Sequence, residues 1–264
     1  MNQVLDENSI MEERFVAFLD ILGFTQIVKG IEAANNSENI DLKRIKSILN
    51  FMDEETTDPN YSADLPIHVK TEDGLIEKEL GDPKLTYVSD CIIISSEPTL
   101  DGFRGLSRKI HKITADLAYD GVFCRGAITK GKLFHHEKII FGSSYIKAYQ
   151  LEETKAIFPR VIVDPDVIDF FELEEGEFPL APAFYGKDKD GLYYQRYWTW
   201  YLFPPYAGGF DNYLMIVRNW IIEHINKFEG NERVRDKYLW LKDEFNSLVD
   251  WWRELEMIDI ERIV

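Results

Sequence analysis

The sequence predicts an α+β protein: one sheet with flanking helices, followed by a C-terminal helical extension. Three observations predict it. Short apolar runs bounded by turn residues alternate with segments of helical periodicity, and some of those runs are joined as hairpins, which favours a mixed sheet over a purely doubly wound one. The stretch Arg14–Thr25 ends an apolar run on an aspartate, turns on Gly23 and enters a helical segment. Beyond Pro204-Pro205 and Gly208-Gly209 only helical spacing remains.

Taken in order, Phe15–Leu19 reads as a buried strand and Gly23 starts a helix. A second helical stretch carries Leu42, Ile45, Leu49 and Met52, and residues 53–64 read as an acidic surface loop. Val69–Ile76 reads as a hairpin turning on Asp73-Gly74. A second hairpin joins Leu85–Val88 to Cys91–Ile94 through Ser89-Asp90. A helix over Leu100–Tyr119 places Phe103, Leu106, Ile110, Ile113 and Leu117 on one face. Strands follow at Val122–Thr129 and Lys138–Phe141, then a helix over Ser143–Lys155 and a strand at Arg160–Val163. Asp164-Pro165 opens a short helix, as aspartate caps and first-turn prolines do. Asp190-Gly191 turns into an aromatic strand, Leu192–Trp200. Of two final helices, the last spaces Val234, Tyr238, Leu241, Phe245, Leu248, Trp252 and Leu255 by threes and fours. That stripe suits either a coiled-coil partner or a hairpin packed on its own domain.

The balance of 47 acidic against 30 basic residues gives a net charge of −17, a field that repels nucleic acid. A bound cation and a few lysines still allow a small anionic ligand. Two cysteines make no disulfide framework or zinc cluster. Residues 1–14 lack a signal-peptide pattern, and no apolar run reaches the roughly 18–20 residues of a membrane helix, so the chain is expected to be cytoplasmic, with no membrane partner.

Asp20 closes the first strand and Asp90 sits in a hairpin turn. If their strands are neighbours, the two carboxylates and the Ile21 carbonyl form a site for hard cations. Backbone amides at Leu22, Gly23, Phe24 and Thr25 then face the terminal phosphates of a nucleotide. Each aspartate also has a plainer use, Asp20 as a helix cap and Asp90 as a turn residue.

Phe18-Leu19-Asp20-Ile21-Leu22-Gly23-Phe24-Thr25 resembles the Phe-x-Asp-Ile-x-Gly-Phe-Thr motif of the class III nucleotidyl cyclases. Asp90 resembles that family's second metal aspartate, with Lys84 six residues earlier in the place of its base-reading lysine. Arg125–Gly131 is similar to its Arg-x-Gly-Ile-x-x-Gly strand, and Gly142 through Leu151-Glu152 fits the frame of its catalytic helix. The resemblance covers roughly residues 12–200. It implies a class III cyclase-like (ferredoxin-like or palm-type) sheet over 12–203 and a helical extension over 204–264.

The resemblance further implies a nucleoside triphosphate substrate and two ions, Mg2+ or Mn2+, held by Asp20, Ile21 and Asp90. It also implies base binding by Lys84 and a head-to-tail homodimer with sites at the interface. The chain departs from the family where Ile146 and Gln150 replace a transition-state asparagine and arginine, and where Ile139 replaces a second base-reading residue. Those departures resemble the bacterial pyrimidine cyclases of Pycsar anti-phage systems, which make cyclic CMP or cyclic UMP. A degenerate cyclase-fold module that binds nucleotide or protein without turnover is the alternative. Arg125, Lys130 and Lys132 are candidates for the missing cation, or are solvated surface charges. The aromatic segment Tyr193–Tyr206 suits either the dimer interface or the domain's own core. His135-His136 reads as an exposed pair, and Cys91 and Cys124 as buried, inert thiols.

Overall fold

The computed structural model describes residues 11–34, 81–171, 184–198 and 209–264, with 42–43, 45–46, 69–71 and 74–76. Its centre is strand β1 (Glu12–Ile21). The hairpin β2 (Val69–Thr71) and β3 (Gly74–Ile76) forms a sheet of its own, with Gly74 already in the strand rather than in the turn. The main sheet continues through β4 (Lys84–Val88), β5 (Cys91–Ser96), β6 (Cys124–His136), β7 (Ile139–Phe141), β8 (Val161–Val163), β9 (Tyr185–Lys187) and β10 (Tyr193–Gln195). Its spatial order is β4-β5-β1-β6-β8-β10-β9, with β7 folded back on β6. Among the described pairs, only β6 with β8 is parallel.

Among the described residues, the helices with both ends defined are α1 (Phe24–Ala34), α2 (Leu100–Tyr119), α3 (Ser143–Lys155), α4 (Pro165–Phe171), α5 (Gly209–Lys227) and α6 (Glu232–Glu254), and residues 42–43 and 45–46 are helical as well. The succession β1-α1-β4-β5-α2-β6, with spatial order β4-β5-β1-β6, is the split β-α-β arrangement of ferredoxin-like sheets. The expected α+β architecture is therefore present.

β1 reads as continuous apolar sequence because both of its faces are covered. Phe15, Ala17, Leu19 and Ile21 join a large core with α2, α5 and α6. Val16 and Phe18 pack on the opposite face with Ile93, Leu133 and Ala148 of α3. Thr99 caps α2 by accepting from the Gly102 N–H at 3.0 Å, and the five apolar residues expected on one face of that helix are all buried. The helix is capped at Asp120 and followed by Gly121, whose φ of +74° suits glycine; a Cβ there would lie 2.5 Å from the Trp220 ring.

The apolar stripe of α6 is used internally. Tyr238, Leu241, Phe245, Leu248 and Trp252 belong to the same core as Phe15 and Phe103, and α5 contributes Phe210, Tyr213, Leu214, Val217 and Ile221. Leu255 falls past the end of α6 and is exposed. The tail folds back under the helix hairpin. Asn246 donates from Nδ2 to the Ile263 carbonyl at 2.9 Å and accepts the Ile263 N–H at 2.7 Å. The expected boundary at 203/204, the loop at 53–64, and Leu49 and Met52 lie outside the described residues.

Several expectations need correction. β1 extends to Glu12 and Ile21 because β5 and β6 pair with it on either side. β10 stops at Gln195; Tyr197 and Trp198 leave the strand and enter the core, while Thr199 and Trp200 lie outside the described residues. β6 runs to His136 rather than ending at Thr129. That extension buries His135, which was expected to be exposed; His136 remains exposed. The His135 ring bonds Ser95 Oγ at 2.7 Å through Nδ1 and Thr86 Oγ1 at 2.9 Å through Nε2. Buried Arg14 donates to the same Ser95 Oγ at 3.0 Å and to Asp82 Oδ2 at 3.0 Å. Burial, with Arg14 and Lys84 nearby, lowers the His135 pKa to about 4, so the ring is neutral at pH 7.

Candidate active site

Asp20 stands near the end of β1, opposite Cys91 of β5 and Arg125 of β6. The β4–β5 turn is two residues long, since Val88 pairs with Cys91, and Ser89 has a φ of +59° at its first position. The Asp90 carbonyl accepts the Ile21 N–H at 3.0 Å, which ties the turn to the end of β1. As a result, ligand atoms of Asp20, Asp90 and Cys91 all lie within 4.8 Å of one another.

Charge around the pair is uneven. Arg125 Nε donates to Asp20 Oδ2 at 3.2 Å and lies 2.6 Å from Oε1 of Glu152 on α3, although that second contact lacks hydrogen-bond alignment. Arg125 Nη1 reaches the Ala156 carbonyl at 3.4 Å. Burial raises the Asp20 pKa above its ordinary value; Arg125 opposes the rise and Asp90 adds to it. Glu152 is pushed up to about 7, first by burial, with Asp20 and Glu153 adding and Arg125 opposing. Lys237 of α6 also acts on both carboxylates through its charge.

Oxygen donors on two carboxylates suit a hard divalent cation, and their mutual repulsion is what such an ion relieves. Cys91 adds a weaker donor. Burial, followed by the charges of Asp90 and Asp20, pushes its thiol up to about 12, which keeps it protonated. Cys91 is half-buried rather than enclosed, whereas Cys124 is buried, with its thiol also pushed up to about 12.

The phosphate-facing amides are fewer than expected. The Leu22 N–H donates to the Phe123 carbonyl at 2.9 Å and is not free for a ligand. Gly23, with φ +76°, turns the chain into α1, and its carbonyl accepts from the Gln26 and Ile27 amides. The Phe24 and Thr25 amides open that helix, where N–H groups lack intrahelical partners.

Other expected residues lie elsewhere. Lys84 occupies the far end of β4, four residues from Val88, or on the order of 13 Å along a strand. Its Nζ donates to the His135 carbonyl at 3.2 Å and pairs with Asp82 at 3.5 Å, so one chain does not bring it to the aspartates. Lys130 is five residues along β6 from Arg125, roughly 16 Å away. Lys130 and Lys132 both pair with Glu13, at 3.3 and 3.7 Å. Of the three candidate cations, only Arg125 is at the site. Ile139 and Ile146 are exposed, as is Gln150. Glu152 falls in the frame of the helix motif but carries no expected role, and nothing in the local sequence marks Lys237; each lies on a helix that packs near the site.

No protein-family model matches the chain, and no curated protein matches it. Among solved structures, the chain is similar to a class III adenylyl cyclase-like ATP-binding protein from Pseudomonas aeruginosa. That likeness has a TM-score of 0.39 and 11% identity, and covers 63% of this chain and 37% of that one. The chain thus spans well under half the length of that protein. It is also similar to the monomeric guanylyl cyclase domain of the RhoGC fusion protein from the aquatic fungus Blastocladiella emersonii. There the TM-score is 0.39 and the identity 14%, over 70% of this chain and 96% of that one.

Proposed function

We propose that the chain is a metal-dependent nucleotidyl cyclase that converts a nucleoside triphosphate, CTP or UTP, to its 3′,5′-cyclic nucleotide and pyrophosphate in anti-phage signalling. One observation carries the reading: Asp20 and Asp90, seventy residues apart in sequence, meet at one end of the sheet beside the opening of α1. The pyrimidine preference and the anti-phage setting rest on the sequence resemblance alone.

Asp20 and Asp90 would hold Mg2+ or Mn2+, with the Ile21 carbonyl assisting. Bound there, the cation supplies positive charge to the triphosphate and to the ribose 3′ oxygen. The Phe24 and Thr25 amides receive the terminal phosphates at the positive end of α1. Arg125 neutralises charge beside Asp20, and Glu152 helps hold its guanidinium in place. The 3′ hydroxyl loses its proton to solvent, its oxygen bonds to the α-phosphorus, and the bond to the bridging β-phosphate oxygen breaks to release pyrophosphate, so positioning and charge neutralisation account for the catalysis.

A homodimer is part of the reading. Ile139, Phe141, Ile146 and Tyr149 on β7 and α3 are each 45–54% exposed, an apolar face that a second copy would cover. The alternative, a cyclase-fold binding module without turnover, is favoured by the Arg125 contact with Asp20 and by Gln150 standing exposed.

The test is incubation of purified protein with each of the four ribonucleoside triphosphates and Mn2+. Cyclic product from one pyrimidine, lost in Asp20→Asn and Asp90→Asn, is the expected result. No product from any nucleotide, with an intact dimer by light scattering, refutes turnover. Binding of one nucleotide without product would instead favour the module.

A further inference from the structure

Helix α6 crosses the end of the sheet that carries Asp20. Tyr238 sets its ring 6.1 Å from that of Phe123, the residue whose carbonyl holds the Leu22 amide. Trp240 stacks at 5.9 Å on Phe158 and packs against the cluster of Ala127, Ala156, Ile162 and Tyr194, on the sheet face shared by Arg125 and α3. Ala156 is also the residue whose carbonyl receives Arg125 Nη1. Lys237 precedes Tyr238 by one residue and Trp240 by three, so it shares a helix face with the tryptophan that rests against this corner.

We propose that Lys237 binds the polyphosphate of the metal–nucleotide held at Asp20 and Asp90, which makes the C-terminal helix part of the substrate site. The inference rests on the proposed function for the identity of that nucleotide.

Three features support it. Lys237 is partly buried, and no carboxylate of the described residues closes an ion pair or hydrogen bond with its ammonium. Arg125 of the site and Arg233 of its own helix disfavour its charge, while Asp20 and Glu152 of the site favour it. Burial is the largest influence and lowers its pKa, so the charge is held there at a cost that an anion would relieve. Around the aspartates, the acidic groups Asp20, Asp90 and Glu152 are set against the cations Arg125, Lys237 and Arg233. A divalent ion on the aspartates would add positive charge there, which favours a polyanion beside Lys237.

The experiment compares wild type, Lys237→Met and Lys237→Arg as full-length proteins. Binding of inorganic tripolyphosphate with Mn2+ is measured by calorimetry, Mn2+ alone by electron paramagnetic resonance, and thermal stability alongside. Lys237→Met should weaken tripolyphosphate binding about tenfold or more, as loss of one charge-assisted contact does. Lys237→Arg should recover most of it. Mn2+ alone should bind as tightly or more tightly, and the melting temperature should not fall. Tripolyphosphate binding that is absent in wild type, or unchanged in Lys237→Met, overturns the inference; so does loss of Mn2+ binding in that variant. Failure of the two readings is distinguishable. Cyclic product formed at the same KM by wild type and Lys237→Met overturns the lysine's role and leaves the cyclase. Lysine-dependent tripolyphosphate binding without product from any nucleotide does the reverse.

Discussion

Replacing Glu152 by Gln should make the protein more stable at alkaline pH. The carboxyl is almost wholly enclosed and its pKa rises from 4.5 to about 7, with burial the largest cause. A carboxyl whose folded pKa lies above its unfolded value contributes stability below the unfolded value and loses it as pH rises through the folded one. The window here is roughly pH 4.5 to 7. Unscreened, that rise corresponds to about 2.5 kcal/mol lost between pH 5 and pH 8. Water reaches the neighbouring Arg125 and Asp20, each about a fifth exposed, and screening reduces the figure to about 1–2 kcal/mol. His111 and His135, both lowered to about 4 chiefly by burial, act in the opposite sense: each adds stability as pH climbs from about 4 through 6.5. The informative quantity is therefore the difference between wild type and Glu152→Gln, taken from urea unfolding at pH 5 and pH 8 with matched m-values. The two proteins should be within about 0.5 kcal/mol at pH 5, with the variant ahead by about 1–2 kcal/mol at pH 8. A variant less stable at pH 8, or a difference that does not change with pH, would mean that the Arg125 pair outweighs burial and would refute the reasoning.

Asn246→Ala should cost about 2–3 kcal/mol, because it removes two hydrogen bonds and strands buried backbone groups of Ile263; chemical denaturation measures it, and a loss below about 0.5 kcal/mol would mean the tail does not depend on that side chain. Gly121→Ala should cost about 2–4 kcal/mol, from positive φ together with overpacking against Trp220, whose Nε1 is anchored on the Tyr119 carbonyl at 3.1 Å. In thermal unfolding, Trp220→Phe should relieve only the packing part of that loss.

Legibility in the sequence followed the range of the interaction. Helix α2 could be read because its cap, Thr99, and its buried stripe lie within about twenty residues. The meeting of Asp20 with Asp90 could be anticipated because a buried strand and a tight hairpin each fix one end of a carboxylate's position. Lys237 could not be read, since it sits among the polar positions of α6 and only the packing of Tyr238 and Trp240 brings it to the corner. Glu152 fitted the frame of a motif, but its contact with Arg125 depends on how α3 lies across β6. His135 was misplaced for a different reason: with β6 expected to end at Thr129, it fell in a loop instead of on the strand face that packs against Thr86 and Ser95.

The two aspartates are not held alike. Asp20 lies in a strand paired on both sides, so its backbone has little freedom left to lose. Asp90 stands at a hairpin tip secured to β1 by the Ile21 amide. For any cation shared between them, the entropic cost of ordering falls almost entirely on the tip. The stiffness of that turn then tunes affinity without any change of ligand, and hydrogen exchange would slow at Ser89-Asp90 while β1 stays as it was.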